Sequence, residues 1–486
     1  MPKQKSIKKN FIMNAILTMS QFIFPLITFP YVSRILLPVG TGKVSFATSL
    51  ISYFTMFAQL GIPTYGIRRC AQARDDKMEL TRVTHELFFI NLIMSGVAYA
   101  ILFLALAFVP RLQGDRTLYL VVSLNIIFTC VGIDWLYQGL EEYTYITVRS
   151  IIFKAIALVA MFAFIHQKSD YVVYGGISIF AASASNVLNF INARKHIYIH
   201  PVGGYRLKRH LKPVLVFFAM SIATTVYTNL DTVMLGFMKT DTDVGYYNAA
   251  VKIKGILVSI VTSLGAVLLP RASYYVEQGD FSNLRRISKK ALNFVLVIAC
   301  PLALYFILFA KEGIRFLSGP AYGGAVLPMQ WIQPTIIFIG LTNILGMQIL
   351  VPLGKEKYVL YSEIAGAITD FTINWFLIPR LASTGASIGT LAAEFVVLVV
   401  QYHVLRKEVT PIFRKLPYGK VLAALVLASL ASLWTKRMGV HAFIILVISA
   451  ILFMGIYALF LVITKEPMMQ EIIATLSNKL KRSRLN

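Results

Sequence analysis

Cysteine is nearly absent from this chain: Cys70, Cys130 and Cys300 are the whole complement. They lie far apart, in or near apolar stretches, with no Cys-x-x-Cys spacing, so no thiol redox or cysteine–metal motif is present and each reads as a packing residue. Long polar stretches are missing too, and no link between apolar runs is long enough to hold a separate soluble domain. Acidic residues are few, with 22 Asp and Glu against 47 Lys and Arg. No Ser/His/Asp or Cys/His grouping can be assembled at one end of the apolar runs, and no large loop exists to carry an active site, so the chain is read as not an enzyme.

What the chain has in excess is apolar surface. Of its 486 residues 57% are hydrophobic and the mean hydropathy is +0.69, whereas soluble domains have about 45–50% apolar residues. Runs of about 20 apolar residues, the length that crosses a bilayer core, number roughly 14. They fall at approximately 10–33, 43–66, 86–109, 117–139, 144–165, 172–192, 213–238, 243–269, 290–310, 327–352, 358–379, 385–405, 419–435 and 440–463. The expected fold class is therefore an all-α polytopic membrane protein with about 14 transmembrane helices. The basic start MPKQKSIKKN leads into a first run too long and too polar for a cleaved apolar core, so no signal peptide is expected.

A net charge of +25 raises the question of nucleic acid, and the placement of the cations answers it. About 33 of the 47 Lys and Arg fall at one set of alternate ends of the runs, which includes both termini, and about 11 at the other. That asymmetry is the positive-inside rule. It puts both termini in the cytoplasm, makes the number of crossings even, and leaves no charge to assign to a nucleic-acid partner.

The chain also repeats itself. An offset of about 203 residues lays Gly42 on Gly245, Ala47 on Ala250, Arg68 on Arg271 and Arg82 on Arg285, with Gly61 one place from Gly265. Two six-helix lobes are expected, 1–193 and 213–406, related by a pseudo-twofold axis along the membrane normal, because six crossings return the chain to the same side. A basic linker, 194–212, joins them; helices 13 and 14, within 407–464, lie outside the repeat. The tail, 465–486, places Met469, Ile472, Ile473, Leu476 and Leu480 on one stripe with Lys479, Lys481, Arg482 and Arg484 near its end, as expected of an amphipathic helix on an anionic leaflet.

Polar residues inside the runs recur at helical spacing. Asn14, Thr18, Gln21 and Thr28 share a face of the first run, and Ser45, Thr48, Ser52, Thr55 and Gln59 share a face of the second. The second half repeats this with Ser221, Thr224, Thr228 and Asp231, then Asn248, Lys252, Gly255, Ser259 and Thr262. Such stripes serve either helix packing or a hydrated cavity at a repeat interface. Asp231 favours the cavity, since a charge at mid-bilayer costs about 2.5–3.5 kcal/mol unless it meets water or a partner. Lys252 is the expected partner, and Lys254 is expected to snorkel outward. Asp134, Arg149, Lys154, Glu363, Asp370 and Glu394 are further charges inside the runs, either functional groups or structural ion pairs. Arg149 is placed as an interface anchor, and Glu394 shares a stripe with Ser387, Thr390 and Gln401.

Two motifs are set aside. VGTGKVS resembles the end of a phosphate-binding loop, but its first glycine would fall at Leu37 and no strand precedes it. His196 and His200 have the spacing of metal ligands, yet Arg194, Lys195, Arg206 and Lys208 surround them and no carboxylate completes a site. Neither a metal nor a cofactor is expected.

DWLYQGLEEYTYITVRSIIFKAI (134–156) and YTNLDTVMLGFMKTDTDVGYYNAAVKIKG (227–255), supported by LGIPTYGIRR (60–69) and VPLGKEKYVLYS (351–362), resemble the polysaccharide-biosynthesis flippases. These are the O-antigen and capsule repeat-unit translocases of the multidrug/oligosaccharidyl-lipid/polysaccharide exporter superfamily. The resemblance covers nearly the whole chain. It implies a 14-helix transporter in the cell membrane that moves an undecaprenyl-diphosphate-linked oligosaccharide to the outer leaflet by alternating access. It also implies glycosyltransferases and a polymerase as pathway partners. Sugar hydroxyls would meet the polar stripes, and the diphosphate would meet Lys252, Lys254, Arg34 and Lys43. The chain departs from the related lipid II flippases, which carry arginines within the first two helices, and from drug exporters with an acidic residue in helix 1. A proton- or sodium-coupled exporter of soluble compounds and a membrane-embedded glycan polymerase or acyltransferase remain alternatives, and the coupling ion stays open.

Overall fold

The computed structural model describes residues 7–471, 473 and 474. Among the described residues all regular structure is helical. The order is α1 Ile7–Gln59, α2 Ile62–Ala73, α3 Lys77–Phe108, α4 Pro110–Gln113, α5 Arg116–Gly132, α6 Asp134–Gly139, α7 Tyr143–Phe164, α8 Tyr171–Ser183, α9 Val187–Asn192 and α10 Lys208–Met238. Then follow α11 Asp241–Glu277, α12 Phe281–Leu308, α13 Ala310–Ser318, α14 Val326–Ile332, α15 Thr335–Thr342, α16 Glu356–Leu381, α17 Ser383–Val404, α18 Arg406–Phe413, α19 Tyr418–Leu433 and α20 Ala442–Ile463. In the tail, Ile472, Leu476, Leu480 and the cations at 479, 481, 482 and 484 lie outside the described residues.

Each break in the helices has a local cause. The first two apolar runs meet inside α1 without a loop, separated at Leu37, whose φ of 59° and ψ of 179° are non-helical. Pro38 follows it, and a residue before proline is driven from the helical region by its ring. The second run stops at Gln59, because Leu60 and Gly61 take φ of 47° and 73°. Only glycine fits at 61, where a Cβ would stand 2.5 Å from the Phe218 nitrogen. Asp76 starts α3 by accepting from the Met78 and Glu79 N–H groups at 2.8 and 3.1 Å.

By length and apolar composition ten helices qualify as membrane spans among the described residues, or eleven with a pair bent by 43° at residues 320–332 and 335–350. The roughly 14 runs and this smaller number differ for visible reasons. The qualifying helix at 12–73 contains two of the runs, α5 has only 17 residues, and α16 carries Glu363 and Asp370. The bent pair ends in a π-helical turn, Asn343–Leu350.

Two compact units divide the chain, Met1–Gly245 and Tyr246–Asn486. In the first, Leu60, Ile62, Tyr65, Leu87, Trp135 and Tyr137 form a core that also buries Cys70. Helix α10, which the repeat sets at the head of the second half, packs with this first unit. In the second, Val297, Tyr305, Phe309, Phe453, Tyr457 and Leu461 form a core, and Cys300 packs against it.

Candidate functional site

In the first unit the second part of α1 runs antiparallel to α10. Phe57 meets Phe218 edge-on with ring centres 5.4 Å apart, and Phe46 meets Phe237 at 5.2 Å. Between these anchors lie Thr48 and Ser52 on α1 and Thr224, Thr228 and Asp231 on α10. Thr48, Thr224 and Thr228 are exposed, Ser52 is half-buried and Asp231 is 6% exposed. Towards the start of α1, Asn14, Thr18 and Gln21 are exposed, whereas Thr28 is buried.

The hydroxyls on these stripes share one bonding pattern. Thr18 donates to the Asn14 carbonyl at 2.9 Å, Thr48 to Val44 at 2.8 Å, Ser52 to Thr48 at 2.8 Å and Thr228 to Thr224 at 2.9 Å. Each proton is thus satisfied inside its own helix, leaving the oxygens to act as acceptors, and that of Thr228 already accepts from the Asn229 amide at 3.0 Å. The chemistry is that of a surface for donor-rich, uncharged groups.

In the second unit Asn248, Lys252 and Lys254 on α11 are half-buried. Further along the same stripe Ser259 and Thr262 bond back to Ile256 and Val258 at 2.6 and 2.9 Å. Tyr247 joins α11 to α17 through Thr390 at 3.0 Å. A buried polar seam holds α16 to α17. Gln401 donates to Ser362 at 3.1 Å, and along α16 Asn374 donates to Asp370 at 3.2 Å. Asp370 and Glu394 are buried within this unit at 2% and 6% exposure, while Glu363 is half-buried.

Several of the other charges are structural. Arg149, 5% exposed, does not sit at a surface: it donates to Asp134 at 2.9 Å and to the Ser185 carbonyl at 2.8 Å. Asn189 completes that cluster with a 2.6 Å bond to Asp134. Lys43 is held by Asp115 at 2.8 Å, a carboxylate that also accepts from the Tyr171 hydroxyl. Lys154 donates to Ser20 at 2.7 Å. Arg34 is exposed and bonds the Pro30 carbonyl of its own helix.

Sequence reasoning passed over the densest polar cluster. Glu86, fully buried, accepts from His210 Nε2 at 2.6 Å and from Arg209 Nε and Nη2 at 2.9 and 2.7 Å. The Tyr65 hydroxyl meets His210 Nδ1 at 2.8 Å, and Arg209 also reaches Glu79 at 3.1 Å. The one available signal was a carboxylate at the start of an apolar run, THELFFINLIM. Arg111 was also missed; it donates to the Gly236 carbonyl at 2.8 Å and pairs with Asp241.

Helices this apolar and this numerous, with polar side chains confined to single faces, define a multi-pass membrane protein. Its fold is shared with solved transporters. "Lipid II flippase MurJ, inward closed conformation" matches with a TM-score of 0.71 and 15% identity over 94% of this chain and all of that one. An inward-facing multidrug resistance MATE family transporter of the MOP superfamily matches at 0.64 and 14% identity, over 84% of this chain and 99% of that one. A protein of Escherichia coli (strain K12) named "Putative O-antigen transporter" is 25% identical over 399 residues, which cover 81% of this chain and 95% of that protein. The family described as "Polysaccharide biosynthesis protein" matches residues 7–276, and the MatE family matches 217–376. The chain belongs to the polysaccharide biosynthesis protein family.

Proposed function

We propose that this protein is a flippase that carries an undecaprenyl-diphosphate-linked oligosaccharide from the cytoplasmic to the outer leaflet by alternating access, supplying cell-surface polysaccharide biosynthesis. The observation that carries this reading is the row of acceptor oxygens on α1 and α10, Thr48, Ser52 and Thr228 among them. An oligosaccharide presents many neutral O–H donors, and such a row accepts from them with no charge to neutralise. Asn14, Gln21 and Asn248 extend the set with amides that both donate and accept. The relative named for O-antigen transport supports the same substrate class.

The diphosphate needs a cation in a site that salt does not screen. Lys252 takes that role, with Lys254 and Arg34 as further candidate cations and Asp231 as a candidate carboxylate for the substrate. Lys43 contributes only where its bond to Asp115 opens. In this reading both termini lie in the cytoplasm at the inner membrane, and the sequence repeat gives 1–193 and 213–406 as the two lobes. Lys252→Ala is expected to abolish complementation of a flippase-null strain at unchanged membrane abundance; full complementation removes Lys252 from the site.

The MatE match over 217–376 favours a second reading, a proton- or sodium-coupled exporter of soluble compounds. Drug-resistance profiles on overexpression separate the two, since a lipid-linked substrate predicts none.

A further inference from the structure

The basic end of the second unit is built into a cavity where three stretches of chain converge: the first turns of α12, the link from α18 into α19, and the turn after α20. Specific bonds hold the junction. Lys420 Nζ donates to the Thr464 and Lys465 carbonyls at 2.6 and 3.3 Å, closing the C-terminal end of α20. Glu466, fully buried, accepts from Asn293 Nδ2 at 2.7 Å and from the Met469 N–H at 2.9 Å, so it grips α12 while capping the turn that follows.

The cavity measures about 410 Å³, inside the ~300–1,000 Å³ span of small-ligand sites. Leu416, Pro417, Pro467 and Met468 give it an apolar lining. Around them stand Arg286, Lys289, Lys290, Lys415 and Lys420 against a single carboxylate, Glu471. Lys290 is bound to Glu471 at 2.8 Å, and Lys420 is committed to the end of α20. Among the described residues the side chains of Arg286, Lys289 and Lys415 make no hydrogen bond and no close ion pair, Arg286 standing near enough to Asp280 to act on its carboxyl.

Two features point to an occupant. Like charges gathered over apolar surface repel one another and are stabilised by an anion. In addition Asn293, 8% exposed and lining the same cavity, has an Oδ1 that meets no donor. The complementary ligand is therefore an anion with an O–H group beside it and an apolar portion, which describes a hydroxylated phosphodiester lipid headgroup. Basic recesses between helix ends at a membrane face recognise headgroups of this kind.

We propose that this cavity binds the headgroup of an anionic phospholipid of the adjoining leaflet. Arg286, Lys289 and Lys415 hold the phosphodiester, a headgroup hydroxyl donates to Asn293 Oδ1, and the first part of the acyl region lies along Leu416 and Met468. Soluble phosphate offers the same oxygens but nothing for the apolar lining. The site is separate from the substrate stripes and stands whether or not the substrate reading does.

The test is native mass spectrometry of the full-length protein extracted in mild detergent and exposed to phosphatidylglycerol, phosphatidylcholine or inorganic phosphate. Phosphatidylglycerol is expected to be retained at least about tenfold better than phosphatidylcholine, from three basic contacts. The triple variant Arg286→Gln/Lys289→Gln/Lys415→Gln is expected to lose that preference. Lys239→Gln, outside the cavity, and the conservative Arg286→Lys are expected to keep it, separating a lost site from a misfolded protein. Equal retention of the two lipids by the wild type overturns the proposal, as does a preference unchanged in the triple variant. Displacement of the lipid by inorganic phosphate alone assigns the cavity to soluble phosphate and overturns it as well.

Discussion

Gly42 and Gly245 meet at a helix contact so close that neither can carry a side chain. A Cβ on Gly42 would stand 1.7 Å from the Asp241 carbonyl oxygen, and one on Gly245 would stand 2.1 Å from that of Pro38. The contacts are reciprocal, because the offset that superposes Gly42 on Gly245 also carries Pro38 onto Asp241. Mutual contacts of this kind are the mark of a local two-fold relation, in which each element meets the other's copy of its own neighbour. Backbones this close gain dispersion and Cα–H···O contacts that a side chain would forbid.

Gly42→Ala and Gly245→Ala are each expected to destabilise the protein by at least about 3 kcal/mol, the upper range for overpacking, because the obstacle is backbone. Gly255 has no heavy atom within 4 Å of an added Cβ. Gly255→Ala should therefore be neutral or stabilising by up to about 1 kcal/mol. Thermal unfolding in detergent measures all three, and an unchanged midpoint for Gly42→Ala refutes the contact.

Thr48→Val and Thr228→Val remove hydroxyls that are exposed and bonded only within their own helices. Stability is expected to change by less than about 1 kcal/mol. Transport of a lipid-linked oligosaccharide into proteoliposomes is expected to fall about 3- to 10-fold for each, as for one lost hydrogen bond to substrate. Full transport by the double variant would show that these faces do not meet the sugar.

Glu86→Ala strands Arg209 and His210. Removing one partner of a buried pair costs about 3–5 kcal/mol. The Arg209 side chain is 33% exposed and can turn to water, which reduces the expected loss to about 2–3 kcal/mol. The link ahead of α10 should loosen with it, since the Arg206 N–H also bonds Glu86. Faster tryptic cleavage near residues 206–209 checks this; an unaltered cleavage rate counts against it.

Asp280 caps α12 by accepting from the Asn283 N–H at 3.0 Å and from its side-chain amide at 2.5 Å. Those bonds hold its carboxyl below the ordinary range. The folded value being depressed, the stabilisation is present above the unfolded pKa of about 3.9 and is lost as pH falls through the folded value. Amide protection in the first turn of α12 is expected to drop on acidification in the wild type and to vary little with pH in Asp280→Asn. Identical acid profiles would discount the cap.

Composition and spacing made much of this protein legible in advance. An apolar excess has no place in water, so the helices and the membrane followed from counting. Polar residues three or four apart share a helix face wherever the helix goes, so the stripes through Thr48 and Thr228 were visible before any contact was known. The 203-residue offset paired Gly42 with Gly245. These are local or periodic properties.

Only the tertiary structure could sort the charges. Asp134, half-buried, answers the buried Arg149 15 residues on; Lys43 is answered by Asp115, 72 residues on; and Glu86 finds His210 across 124 residues. No periodicity links such partners. A carboxylate in an apolar run reads the same in sequence whether it faces substrate or a guanidinium, because its energy depends on what stands within about 4 Å of it, and that distance is decided by packing.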